Sequence, residues 1–176
     1  MLEIKNLTKT YPNGKKAVSN LSMTIEDGDL FGFIGKNGAG KTTTLKACLT
    51  IHDFDSGDIL LNGISIKTAP TECKRKMAYV PDSPILETYL TGLQYLNFIC
   101  DIYGVPTHTR KKRIYDLSER LGMSDKLNDL ISSYSHGMKQ KITLIGAFAH
   151  APLLLVLDEP FAVSYTHLTL PTKLEV

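Results

Sequence analysis

The stretch Gly35-Lys36-Asn37-Gly38-Ala39-Gly40-Lys41-Thr42 constrains this chain more than any other, because it matches G-x-x-x-x-G-K-[ST] and stands between an apolar run and a helix-compatible one. Glycines at that spacing let the backbone aim its N–H groups at one point, and a helix N-terminus adds partial positive charge there. A phosphate group suits such a nest. Gly35, Lys36, Asn37, Gly38, Ala39 and Gly40 form the cradle, Lys41 is placed to reach β- and γ-phosphates, and the Thr42 hydroxyl is placed to ligate Mg²⁺. The bland alternative is a chance glycine-rich turn, which the flanking strand and helix disfavour.

The surrounding pattern argues for the α/β class, since strands and helices alternate along the chain with no repeats and no low-complexity linker. Residues 2–5 and 17–25 read as strands on either side of Pro12-Asn13-Gly14, giving an antiparallel β flank. Residues 30–34 read as a compact apolar strand feeding the glycine-rich loop, and residues 41–49 as the helix after it. Short strands are expected near residues 59–61 and 77–80. A helix is expected from Thr91, its N-cap, to Gly104, its C-cap, another over about 109–121, and a third over about 137–150 ending before Pro152. An apolar strand, residues 153–157, follows directly.

That last strand delivers Asp158 and Glu159 together at its C-terminal end, the edge at which open α/β sheets bind ligands. Asp158 suits a hard cation, and Glu159 suits a catalytic role, polarising a water that attacks a γ-phosphate. By itself such a pair is usually a solvated strand end. A third feature lies just upstream: Ser133-Tyr134-Ser135-His136-Gly137-Met138-Lys139-Gln140-Lys141, a small-residue turn opening a helix, in which Ser135 also reads as an ordinary N-cap.

Taken in order, the phosphate loop, the Ser-x-Gly-x helix start and the apolar strand with Asp-Glu resemble the ABC ATPases. The resemblance covers residues 1–162 and implies a P-loop NTPase fold with a mixed sheet core, the antiparallel flank, and a helical subdomain at about residues 83–135. It implies ATP and Mg²⁺ as ligands, with Thr42 and Asp158 holding the metal and Glu159 catalytic. Residues 134–138 stand where the family commonly has Leu-Ser-Gly-Gly-Gln, so Ser135, His136, Gly137 and Met138 would meet ATP held by a second cassette. The form Gly-Met-Lys-Gln-Lys is similar to the drug, antibiotic and peptide exporter branch. Tyr11 matches the aromatic position that stacks on adenine, with packing beside a turn as the alternative, and Thr43 joins the ATP contacts. Asp82, in Val80-Pro81-Asp82-Ser83, stands where the family usually has a Gln that senses Mg²⁺ and the attacking water. A carboxylate there can ligate the metal but also repels the γ-phosphate.

The resemblance also implies partners: a transmembrane permease subunit, docked on the helical subdomain, and a second cassette, which places the chain in the cytoplasm on the inner face of the cell membrane. Composition is compatible with this. The longest apolar run, residues 153–157, is far too short to span a bilayer, so a membrane would be served through another chain. With 20 Lys and Arg against 18 Asp and Glu the formal charge is +2, and no nucleic-acid partner is expected. Cys48, Cys73 and Cys100 form no CxxC pair, which argues against a disulfide framework or a zinc site. Tyr89, Leu93, Tyr95, Leu96, Phe98 and Tyr103 read as core more than as a docking stripe, and Arg110-Lys111-Lys112-Arg113 as a solvated face more than as a lipid contact.

Past Ala162 the family pattern stops. The expected Gly-Leu-Asp turn and switch-histidine strand are replaced by residues 163–176, which look like read-through of a sequencing adapter, and His167 is not the switch histidine. In the family's sheet order the lacking strand lies between the phosphate-loop strand and the Asp158 strand. The chain as it stands is therefore expected to be inactive or poorly folded. Two further readings stay open: a nucleotide-binding fragment or switch without hydrolysis, and a soluble ABC ATPase acting on ribosomes or DNA.

Overall fold

Alternation of apolar and polar residues at the start of the chain builds a hairpin. In the computed structural model, which describes residues 1–36 and 38–158, β1 (Leu2–Thr10) and β2 (Lys16–Ile25) pair antiparallel, Leu2 opposite Ile25 and Thr10 opposite Lys16. The buried positions of β1 run Leu2, Ile4, then Leu7, so the inward parity changes once. Asn6 makes that change: its φ of 52° is left-handed, which Asn tolerates better than most side chains, and the pairing register shifts beside it. Ser22 Oγ accepts the Asn6 backbone N–H at 2.9 Å and donates to Asn6 Oδ1 at 3.1 Å, satisfying groups the bulge frees.

The chain divides into two compact units, residues 1–77 and a second that begins at Ala78. In the first, α1 (Lys41–Cys48) follows the glycine-rich loop, β3 (Ser56–Leu61) pairs with the free edge of β1, and β4 (Ile64–Ser65) completes a sheet of order β2-β1-β3-β4. α2 (Pro70–Arg75) closes the unit. Leu7, Ile59, Leu61, Cys48 and Cys73 are buried here. Sequence periodicity missed α2 and β4 because both are too short to show a period.

The second unit is mostly helical. β5 (Met77–Val80) pairs with β6 (Leu154–Leu157), and between them run α3 (Gly92–Ile102), α4 (Thr107–Arg120) and α5 (His136–Ala149). Its core gathers Leu96, Ile114, Met123, Leu127, Ile131, Ile142 and Ile145, with Leu93, Tyr95 and Tyr103 packed against it. Thr91 caps α3 as expected: its hydroxyl accepts the Gln94 N–H while the Gln94 side chain accepts the Thr91 N–H, a reciprocal capping box. The helix ends one residue before the expected stop, at C-cap Tyr103, and Gly104 follows with φ 67°.

Two sequence expectations are corrected. Residues 30–34 form no strand; Leu30 and Ile34 are 90% and 95% exposed, and none of the amides of residues 30–36 donates to a described backbone carbonyl. An apolar run becomes a strand only when another strand accepts its ladder, and the described strands pair elsewhere. The basic run on α4 is not simply a solvated face. Arg110 pairs with Asp101 at 2.7 Å and donates to Val105 O, and Arg113 donates to Ala149 O at 3.1 Å, which leaves Lys111 and Lys112 as its exposed members. Of the aromatic and aliphatic stripe, Leu96 is core while Tyr89 and Phe98 are exposed.

Candidate functional site

The glycine-rich loop reaches α1 through backbone that only glycine accommodates. Gly38 and Gly40 both have left-handed φ, 81° and 89°. A Cβ on Gly40 would stand 2.2 Å from the carbonyl oxygen of Ala17 in β2, so that position is closed to any other residue on steric grounds as well. Lys41 opens α1, and its ammonium folds back to donate to the carbonyls of Gly35 and of Lys36, the latter at 3.1 Å. The first turn of α1 carries no acidic side chain to oppose an anion. Thr42 is exposed, and Thr44 is buried with its hydroxyl donating to Gly40 O at 2.9 Å, which ties the loop's end to the helix.

Tyr11 lies beside this loop. Its hydroxyl and Thr43 Oγ1 are 3.1 Å apart, and Lys9 Nζ stands 5.9 Å from its ring centroid. Gly35, Lys36, Ala39 and Lys41 therefore share one end of the first unit with Thr42, Thr43 and Tyr11, whereas Asn37 falls outside the described residues. The exposed cradle, its cationic side chain and the free helix start fit a polyphosphate.

The second unit holds the remaining candidates. Asp158 directly follows β6, its N–H donating to Val80 O at 3.0 Å, and its Oδ2 accepts the Tyr79 hydroxyl at 3.1 Å. Its Oδ1 takes no donor among the described residues. Burial, together with the neighbouring Asp158 carboxylate and the charge of Asp82, pushes the Tyr79 phenol up to about 12. Asp82 Oδ2 accepts the Ser83 hydroxyl at 3.2 Å, and its carbonyl accepts Gln140 Nε2 at 2.8 Å. Gln140 is buried in the first turns of α5, so the helix that Ser135 starts also grips the segment carrying Asp82.

Ser135 is the N-cap of α5, its hydroxyl accepting the Met138 N–H at 3.3 Å. Ser135 and His136 are exposed, Gly137 and Met138 half-buried. The preceding Tyr134 is buried instead, its hydroxyl donating to Lys126 O. The Thr42 hydroxyl in the first unit and the Asp158 carboxylate in the second are each a hard oxygen donor, the class that Mg²⁺ takes. Glu159, the tail from 163 to 176 and His167 lie outside the described residues. Sequence reasoning missed Tyr79 and Gln140; the available signals were a hydroxyl inside the otherwise apolar Met77–Val80 and an amide flanked by Lys139 and Lys141.

Residues 18–162 match the family model described as ABC transporter. The chain is similar to the SkfA peptide export ATP-binding protein SkfE of Bacillus subtilis, 34% identical over 160 residues that make up 91% of this chain and 66% of that protein. It is 36% identical over 161 residues to the linearmycin resistance ATP-binding protein LnrL of Bacillus subtilis, covering 91% of this chain and 51% of the relative. Among solved structures, an ATP-binding subunit of an ABC transporter superposes with TM-score 0.87 at 30% identity, over 92% of this chain and 67% of that one. The chain thus spans about half to two thirds of the length of these two curated relatives.

Proposed function

The chain belongs to the ABC transporter family, as a P-loop ATP-binding protein of its exporter-like branch, and on that premise we propose that it serves as the ATP-binding and hydrolysing subunit that energises a separate membrane permease. The observation that carries this reading is the loop ending in left-handed Gly40, where Lys41 turns its ammonium onto the carbonyls of Gly35 and Lys36. Incoming phosphate oxygens offer that ammonium a better partner than two neutral carbonyls, and the loop N–H groups close around them.

The residues take roles accordingly. Lys41 binds the β- and γ-phosphates and Thr43 and Tyr11 border the nucleotide; Tyr11 spends its hydroxyl on Thr43, and its ring would stack on adenine. Thr42 and Asp158 would hold Mg²⁺, which when bound supplies positive charge to the phosphates. Glu159 orients the attacking water and takes its proton. Asp82 occupies the sensor position, and Ser135, His136, Gly137 and Met138 face nucleotide on a second cassette, where the start of α5 presents N–H groups to an anion. Among the described residues no helix is long and apolar enough to cross a membrane, and we assign the chain to the cytoplasmic face, held there by its permease. The relatives named for peptide export and linearmycin resistance support export as the direction.

A second reading, nucleotide binding without turnover, is favoured by residues 30–34, directly before the phosphate loop, which pair with no strand among the described residues. The test is binding of a fluorescent ATP analogue, and steady-state phosphate release, by the chain and its Lys41→Ala and Glu159→Gln variants. Binding lost in Lys41→Ala is expected on either reading; steady turnover that Glu159→Gln abolishes selects the first and overturns the expectation that the chain as it stands is inactive. Binding that ignores Lys41→Ala sinks both readings, and binding without release in the unaltered chain selects the second.

A further inference from the structure

The Tyr79 hydroxyl, on β5, donates to Asp158 Oδ2 at 3.1 Å across the β5–β6 pair, while the Asp158 N–H donates to Val80 O at 3.0 Å. The end of β6 is therefore fixed twice, once through its backbone and once through its carboxylate. Tyr79 is half-buried in β5, and phenylalanine differs from it only by the hydroxyl that makes this bond. The bond does select a carboxylate orientation, engaging one oxygen and leaving Oδ1 without a donor among the described residues.

We propose that Tyr79 is a positioning residue for the metal site: its hydroxyl occupies Asp158 Oδ2 and so presents Oδ1 to Mg²⁺ in one orientation. This rests on the reading of Asp158 as a metal ligand. Outer partners of ligating carboxylates fix their orientation and are typically worth about 10–100-fold in metal affinity. Tyr79 does this from the neighbouring strand. Ser83, in the same region, is turned to Asp82 Oδ2 and does not share the task.

The test uses the whole chain with Mn²⁺ as a paramagnetic stand-in, its binding in the presence of ATP read by electron paramagnetic resonance. ATP binding in EDTA is measured alongside, and the thermal midpoint reports folding. In Tyr79→Phe the Mn²⁺ concentration for half-saturation is expected to rise about tenfold, with metal-free ATP affinity and thermal midpoint within error of the parent. A merely structural Tyr79 would move the midpoint and ATP affinity and leave the ratio of metal to nucleotide affinity alone, and that outcome overturns the proposal. So does an unchanged Mn²⁺ titration. Asp158→Asn separates the underlying reading: if it too leaves Mn²⁺ binding unchanged, Asp158 is no ligand and both statements fall together.

Discussion

Gly40 concentrates the constraints on the phosphate loop into one residue. Its φ of 89° alone costs a side-chain-bearing residue about 1–3 kcal/mol, and the Ala17 carbonyl 2.2 Å from the would-be Cβ forces backbone to move as well. Gly40→Ala is expected to abolish nucleotide binding and lower the stability of the first unit by at least about 1–3 kcal/mol, read by ATP-analogue titration and urea unfolding. Gly122→Ala is the control, because its φ of 64° is also left-handed but its Cβ would meet nothing within 4 Å. A second residue speaks to pH. Burial at the end of α1 pushes the Cys48 thiol up to about 12, so the folded state holds that proton more tightly than the unfolded one. The sign follows: the contribution is complete below the ordinary thiol range and is lost as pH rises toward about 12. Urea midpoints of the parent should fall on that alkaline limb, and Cys48→Ala should flatten it.

Elements built on local chemistry were legible, and those built on distant partners were not. Thr91 and Ser135 announced the starts of α3 and α5 because a cap needs only the next three residues. Gly35 to Thr42 announced its loop for the same reason. The Tyr79 bond to Asp158 and the Gln140 bond to Asp82 O join residues 79 and 58 positions apart, and no short-range pattern encodes them. The basic run on α4 misled because Arg110 and Arg113 find partners on other elements. Within α4, Ser118 is wholly buried and its hydroxyl has no partner among the described residues. An unsatisfied buried hydroxyl costs about 1–3 kcal/mol, and alanine is the better helix former. Ser118→Ala is therefore expected to raise stability by about 1 kcal/mol, whereas Ser135→Ala, which removes a cap, should lower it by about 1 kcal/mol. Paired urea melts of the two variants check the opposite signs; a loss in Ser118→Ala means that its hydroxyl is satisfied after all.

At the scale of the molecule, the described strands form a four-stranded sheet and a separate two-stranded one, and the segment leading to the phosphate loop belongs to neither. That segment is apolar where it is most exposed: Leu30 and Ile34 stand open, and Phe31 is half exposed. Burying a side chain of this kind is worth about 1.5–3 kcal/mol, so a partner strand for residues 30–34 would be strongly favoured wherever one is supplied. The sequence expectation of a strand was thus a correct reading of composition defeated by the lack of a ladder partner among the described residues. Amide hydrogen exchange distinguishes the two states directly. Residues 30–36 should exchange within the shortest labelling time, while β1 and the buried turns of α5 stay protected, because protection follows from hydrogen-bonded, buried backbone. Mg-ATP should slow exchange over residues 35–43, whose N–H groups close on phosphate, and leave residues 30–34 fast. Protection at 30–34 equal to that of β1 in the nucleotide-free chain would mean the segment is paired as a strand, and the case for binding without turnover would lose its structural support.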